Sequence, residues 1–461
     1  LIAKIVTNIL DVNNMFADLI LRCKAFKYRK KKDIGHNLRM GVLDMSDIKV
    51  FRILVDSIGS WPHKHLGTKK TKPYFPSNTT LFIISLAKLI AEIIYLKKSF
   101  GVKSFEVLGH IYVTVLVNVT AVTRVNLPWR KKYCDLFRDF LMEFHLFYHR
   151  DKSDYAEKVY QKITKYSTMF LKFLPTECCI GLITFNMAPI LKNYRSGMFS
   201  ESKPANGTYE LSVYYAFPID CTRDFTGYVI VSFLNWFLSA ISSLILCYYD
   251  LILSLAAVHI WGHMKILEDS LKNFPRPKTS FTGVPWYSKE ESVMVSKLLK
   301  ANIDHHRLIS RFSSRTSNVF GPMLFFYYVI LQVSGCIVLF QLSTLVILTL
   351  LSLLHNRLCA KQLFLKNKYE LYFQNDSIIN AVYGLPWECM DTKNRKIVLF
   401  FFKNVQAPTN VKAMGMIPVG VETMAAVSLC NIISTYIDQD RYRVPLIHLY
   451  ENERATFSYL Q

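Results

Sequence analysis

Apolar blocks long enough to cross a bilayer recur along this chain, at residues 79–97, 105–123, 167–190, 226–254, 318–341, 343–364 and 416–437. A helix rises only about 1.5 Å per residue, so roughly 20 mostly apolar residues are needed to traverse the hydrocarbon, and each block meets or nearly meets that length. The apolar run from Val319 to Leu354 is too long for one crossing and splits into two antiparallel helices near Gln341, Ser343 and Thr344. The second of these is the weakest span, because its apolar core ends at Leu354 and Arg357, Lys361, Lys366 and Lys368 follow. Since a backbone in lipid must satisfy its own hydrogen bonds, the expected fold is all-α with seven transmembrane helices.

Basic residues set the orientation. Loops 124–165 and 261–317 carry ten Lys and Arg each, whereas loop 189–225 carries four, which places the first two in the cytosol. The amino-terminal region, with its KYRKKK run at 27–32, falls on the same side, and an odd number of spans sends the carboxyl terminus outside. The chain then divides into a basic cytosolic region (1–77), six helices and their loops (78–364), a cytosolic segment (365–412), a seventh helix (413–437) and an outer tail (438–461). The sequon at Asn206 lies in the outer loop, where glycosylation can use it, while those at Asn118 and Asn375 are expected to be silent. This orientation is inverted relative to a G-protein-coupled receptor, and the chain lacks an Asp/Glu-Arg-Tyr after the third span and an NPxxY in the last.

Several chemistries are excluded. A formal charge of +22 would suggest nucleic acid on a soluble fold, but here 51% of residues are hydrophobic and the basic ones sit mostly between apolar blocks, so no nucleic-acid partner is expected. The opening LIAKIVTNIL contains Lys4 and Asn8, lacks a small-residue cleavage site, and is read as no targeting peptide. The ten cysteines show no CxxC spacing and read as packing thiols. Among twelve histidines, His63 and His65 flank one residue and His305 and His306 are adjacent, but no HExxH occurs; they read as solvated, and neither metal nor cofactor is expected. With no GxxxxGK[ST], GxSxG or paired-carboxylate constellation, the chain is not read as an enzyme.

Charges within spans cost about 2.5–3.5 kcal/mol each at mid-bilayer. Lys88 and Glu92 stand four apart and can pair on one helix face. The third span holds Lys172, then Pro175, whose missing N–H frees backbone groups, then Glu177, Cys178 and Cys179. Snorkelling or structural pairing is the first reading of Lys88 and Lys172 and a bundle-facing polar role the second, while Glu177 is equally a structural group or a cavity-lining one. Aromatic and methionine side chains crowd the outer halves of the spans: Tyr112, Phe185, Met187, Tyr228, Phe233 and Trp236. Singly these suit a lipid-facing belt; together, at one depth and from several spans, they suit an apolar pocket for a hydrophobic small molecule. With Glu177 they form the candidate ligand set.

The stretch AVYGLPWECMDTKNRKIVLFFFKNVQAPTNVKAMGMIPVGVETMAAV (381–427) resembles the carboxyl-terminal region of insect odorant receptors, and LPWECMD with VGVETMAA is most similar to the moth sex-pheromone receptor branch. Matching positions include Tyr383, Trp387, Arg395, Gln406, Pro408, Ala413 and Gly415, and ILVDSIGSWPHKHLG (53–67) resembles the family's segment before the first span. The resemblance implies a subunit of a ligand-gated, non-selective cation channel, assembled as a heterotetramer with an olfactory coreceptor in the plasma membrane of olfactory sensory neuron dendrites. It implies a ligand site in the outer half of the bundle. It also implies that the last helix has two parts, a cytosolic subunit anchor containing Tyr383, Trp387, Arg395, Gln406 and Pro408, then a pore-lining membrane part.

The resemblance stops in three places: residues 1–43, the basic run 357–372, and the tail after Val427, where Asp438 and Asp440 fall near the family's gate. Two other readings fit part of the pattern. One is a gustatory-type receptor that forms a channel without the coreceptor. The other is a membrane transporter, which internal inverted repeats would favour and which this sequence does not show.

Overall fold

Ser153, Asp224 and Asp391 each stand just before a long helix, and each caps it. Ser153 accepts from the Ala156 N–H at 3.1 Å, Asp224 from Gly227 at 2.6 Å and Asp391 from Asn394 at 3.3 Å. The computed structural model describes residues 41–68, 78–103, 105–200, 207–216, 221–278, 280–281, 284–344, 376–407, 412–413 and 417–418. The helices are α1 (Ser46–Ser57), α2 (Asn78–Ser99), α3 (Phe105–Val125), α4 (Lys131–Asp139), α5 (Asp154–Arg195), α6 (Phe225–Lys272), α7 (Lys289–Thr344) and α8 (Thr392–Val405). Two antiparallel pairings of two residues each are the only strands among the described residues, so the fold is all-α.

Five described helices, α2, α3, α5, α6 and α7, are long and apolar enough to cross a membrane. They correspond to the first five apolar blocks. The sixth and seventh, Asn206, Pro408, Asn375, the basic run 357–372 and the tail 438–461 lie outside the described residues, apart from the few at 343–344 and 417–418. Asn118 is buried within α3.

The helices run well past the bilayer. With 42, 48 and 56 residues, α5, α6 and α7 measure about 60–85 Å, against about 30 Å of hydrocarbon. The surplus lies at one end, here called basal, because α5 gains its polar length before residue 167, α6 after 254 and α7 before 318. Segments 124–165 and 261–317, which charge alone marks as connections, are thus largely helical. Most of their basic residues face water, Arg124 excepted, while their apolar stripes pack together, with α4 and a π-helical turn at Phe140–Phe144 against α7. At the opposite, apical end, residues 207–216 cover the bundle.

Helix α6 is the spine: Tyr248, Tyr249 and Leu251 are fully buried, and α6 contacts α2, α3, α5 and α7. Helix α5 continues through Pro175 and Pro189, and the Thr176 hydroxyl caps the Lys172 carbonyl at 2.8 Å. Before the first span, α1 ends at Gly59 (φ 66°), where a Cβ would stand 3.0 Å from the Asn78 backbone nitrogen. That turn seats Trp61 edge-on to Phe51 and Phe137 (6.1 and 5.6 Å between centroids).

Where α3 leaves the bundle, Arg124 is completely buried. Its guanidinium lies 2.9 Å from Asp250, donates to the Leu246 carbonyl at 2.7 Å, and stands over the Tyr327 ring. Asp250→Ala leaves that cation buried without its counter-charge, so unfolding in detergent should show a loss of about 2–3 kcal/mol. This is below the usual range for a broken buried pair, because the Asp250 side chain is itself 39% exposed. An unchanged melting curve would show that Leu246 and Tyr327 suffice.

Candidate functional site

The apical end is built from polar residues that hold segment 207–216 down on an aromatic floor. Asn193 exchanges two hydrogen bonds with the Glu210 backbone (2.9 and 2.8 Å), His110 pairs with the Ser212 carbonyl at 2.7 Å, and Asn235 donates to the Val213 carbonyl at 3.0 Å. Asn186 joins the Ser212 hydroxyl to that of Ser239, both at 3.0 Å. Each of these three asparagines is at most 1% exposed, so each bond replaces water that the amide has lost. The segment meets that floor through Tyr209 stacked on Tyr228 (4.5 Å) and Tyr214 on Tyr95 (5.5 Å), and the floor also holds His110 on Phe185 (6.1 Å).

The candidate ligand residues divide between two apolar clusters. Phe185 and Tyr228 belong to the apical one. Trp236 is a core member of the larger cluster running to the basal end, and Met187 packs against it. Tyr112 on α3 and Glu177 on α5 are half-buried. Phe233 is 44% exposed, on the outer side of α6. Lys172 is exposed on α5. Cys178 packs against α6, its thiol donating to the Ser243 carbonyl at 3.3 Å. A small cavity lies elsewhere, at the basal end between Ile48, Phe51, Phe140, Leu171 and Leu255.

Lys88 and Glu92 both turn inward, but their polar connection runs across helices rather than along one. Lys88 donates to Ser242 at 3.1 Å, Ser242 to Asn118 at 3.3 Å, and Asn118 to both Glu92 oxygens at 2.5 Å. The sequence reading missed Asn118 and Ser242 here, and Asn186, Asn193 and Asn235 above. Their signal was each polar residue's position inside or beside an apolar block.

At the basal end α8 lies against α7. Asn394, 1% exposed, donates to the Ser292 carbonyl and hydroxyl at 2.9 and 3.0 Å, and the Tyr287 N–H donates to the Cys389 carbonyl at 3.2 Å. Arg395 closes its own turn through the Met390 and Glu388 carbonyls, both at 2.8 Å, and stands over Trp286. Tyr383 is exposed and meets the Phe402 ring at 6.1 Å, Trp387 is partly exposed in a 3-10 turn, and Gln406 ends α8. The apolar burst at 397–402 has two faces: Val398 and Phe401 are buried, while Leu399 (69%) and Phe400 (52%) are bare.

His65 is exposed, as its solvated reading has it, but the other described histidines are not. His259, His263, His305 and His306 are buried and His63 is half-buried, bonded to Asp56 at 2.8 Å. The reading failed because the segments that carry most of them, the cytosolic helix expected around His305 and His306 among them, pack on one another.

Length, apolarity and architecture define an all-helical membrane protein. Residues 105–430 match the 7tm Odorant receptor family, and the chain belongs to that family. No curated protein matches the sequence. Among solved structures, the chain is similar to the insect olfactory receptor OR5 from Machilis hrabei, with TM-score 0.61 and 12% identity over 85% of this chain and 96% of that one. It is also similar to the same receptor in complex with eugenol, with TM-score 0.64 and 11% identity over 84% of this chain and 96% of that one. At these identities the likeness concerns the fold.

Proposed function

We propose that this member of the odorant receptor family is a subunit of a ligand-gated, non-selective cation channel that works with the olfactory coreceptor. Its ligand is a long, weakly polar volatile of the sex-pheromone type. The observation that carries this reading is α8: it is fixed to α7 through Asn394, yet keeps Leu399 and Phe400 in the open, as a helix that joins subunits requires. The amino terminus is assigned to the cytosol, with seven helices, a glycosylated Asn206 outside and a plasma-membrane location.

The apical half suits the ligand. Phe185, Tyr228 and the neighbouring tyrosines present an apolar surface with few charges, and the solved relative's complex with eugenol is a precedent for a small aromatic molecule in this fold. Recognition by shape and dispersion discriminates by only about 1–3 kcal/mol per methylene, so selectivity among chain lengths would be graded. Opening requires tighter binding to the open than to the closed state.

Co-expression with the coreceptor in a receptor-null cell, with current recorded against long-chain acetates, aldehydes and alcohols, tests the proposal. Ligand-dependent cation current that needs both chains is the expected result. Current without the coreceptor would support the gustatory-type reading instead, and silence despite surface delivery would overturn the channel assignment.

A further inference from the structure

Three imidazoles from distant parts of the chain converge at the basal end. His263 lies on α6, nine residues beyond the apolar block that ends at 254; His305 lies on the basal extension of α7; and His149 lies in the connection before α5. One ring nitrogen from each falls within 4.8 Å of the others. His263 and His305 are buried, and the His149 ring stacks parallel to that of His305.

The tautomers follow from the hydrogen bonds. His263 Nε2 stands 2.6 Å from the Phe144 carbonyl and His149 Nε2 stands 3.2 Å from the Glu143 carbonyl, and a carbonyl only accepts, so both Nε2 atoms carry protons. Both Nδ1 atoms are therefore bare. His263 Nδ1 has His305 Nε2 as its partner at 2.9 Å, whereas His149 Nδ1 is buried with no hydrogen-bond partner among the described residues. Two consecutive carbonyls of the π-helical turn thus hold two rings with their lone pairs inward. Carbonyl orientation of the distal N–H is how metal-ligating histidines are set.

From this geometry we infer that His149, His263 and His305 form a binding site for a divalent transition-metal ion of the zinc class, clamping α6 and α7 to the connection that precedes α5. The ligand atoms are Nδ1 of His149, Nδ1 of His263 and Nε2 of His305, the last after the proton it now shares with His263 moves to its own Nδ1. Three imidazoles with an open fourth position for water are an established set for zinc, copper and nickel. Metal–nitrogen bonds of about 2.0–2.1 Å separate tetrahedral ligands by about 3.3 Å, so the rings need move by only about an ångström. Lys152 stands near the His149 ring and opposes a bound cation. Glu143 offsets it, although its carboxylate is shared with Arg311.

The test uses the full-length protein, purified in detergent on a tag without histidine and titrated with cobalt(II) alone, whose visible ligand-field bands report tetrahedral nitrogen coordination. One equivalent should bind with strong visible absorption, and zinc should displace it. His149→Ala, a change in a partly exposed connection, should weaken cobalt binding by about tenfold or more with the far-ultraviolet circular dichroism unchanged. His65→Ala, at an exposed histidine outside the cluster, should leave it as it was. Folded wild-type protein without ligand-field bands, or equal affinity in His149→Ala, would overturn the site.

Discussion

Glu92→Leu should be among the most damaging single changes in the membrane-spanning bundle, with an expected loss of about 3–5 kcal/mol in unfolding free energy. Glu92 is fully buried, and its two oxygens take the Asn118 amide, whose own oxygen takes the Ser242 hydroxyl that Lys88 holds. Removing the carboxylate leaves Lys88, 7% exposed, as a buried ammonium with one hydroxyl for company, in a medium that offers no water in exchange. Lys88→Leu with Glu92→Leu removes both charges and leaves Asn118 and Ser242 still bonded to each other. The double variant should therefore recover most of the loss, and a double-mutant cycle on thermal unfolding should return a coupling well above that of exposed pairs. A double variant no more stable than Glu92→Leu alone would show that the two charges act separately.

This network shows what sequence could and could not reveal. The spacing of Lys88 and Glu92 on one face was legible because helical periodicity is local; their linkage through α3 and α6 was not, because it depends on which helices become neighbours. Span length is equally local, and the block at 79–97 forms a helix only slightly longer than itself, Asn78–Ser99. The basal extensions were harder. Their residues are basic on one side and apolar on the other, a pattern that marks a cytosolic connection and a packed amphipathic helix alike. The histidines followed the same error: His305 looks solvated when its neighbours are Asp304 and Arg307, and becomes buried only when α7 meets α6. Among the ligand candidates, position along each span was readable, and it puts Tyr228 about two turns above Trp236 on α6, in different clusters. Rotation about the helix axis was not readable, and it separates Phe233 on the outside from Trp236 in the core.

Rotation also decides the subunit anchor. Leu399→Asp with Phe400→Asp should abolish co-purification with the coreceptor while leaving the chain folded, since both side chains already face out and make no part of the core. If this face is the centre of a subunit contact, losing two large apolar anchors costs about 2 kcal/mol or more each, which lowers association by about thirtyfold per residue and by close to a thousandfold for the pair. Phe401 provides the contrast. It is fully buried beside the His306 ring, so Phe401→Ala should cost about 3–5 kcal/mol in the fold itself and reduce surface delivery before assembly is in question. The two variants separate an assembly defect from a folding defect: circular dichroism and thermal unfolding should be unchanged in the first and shifted in the second. Full co-purification of the double aspartate variant would mean that α8 presents its apolar face to something other than a neighbouring subunit, and the channel-subunit reading would lose the observation on which it stands.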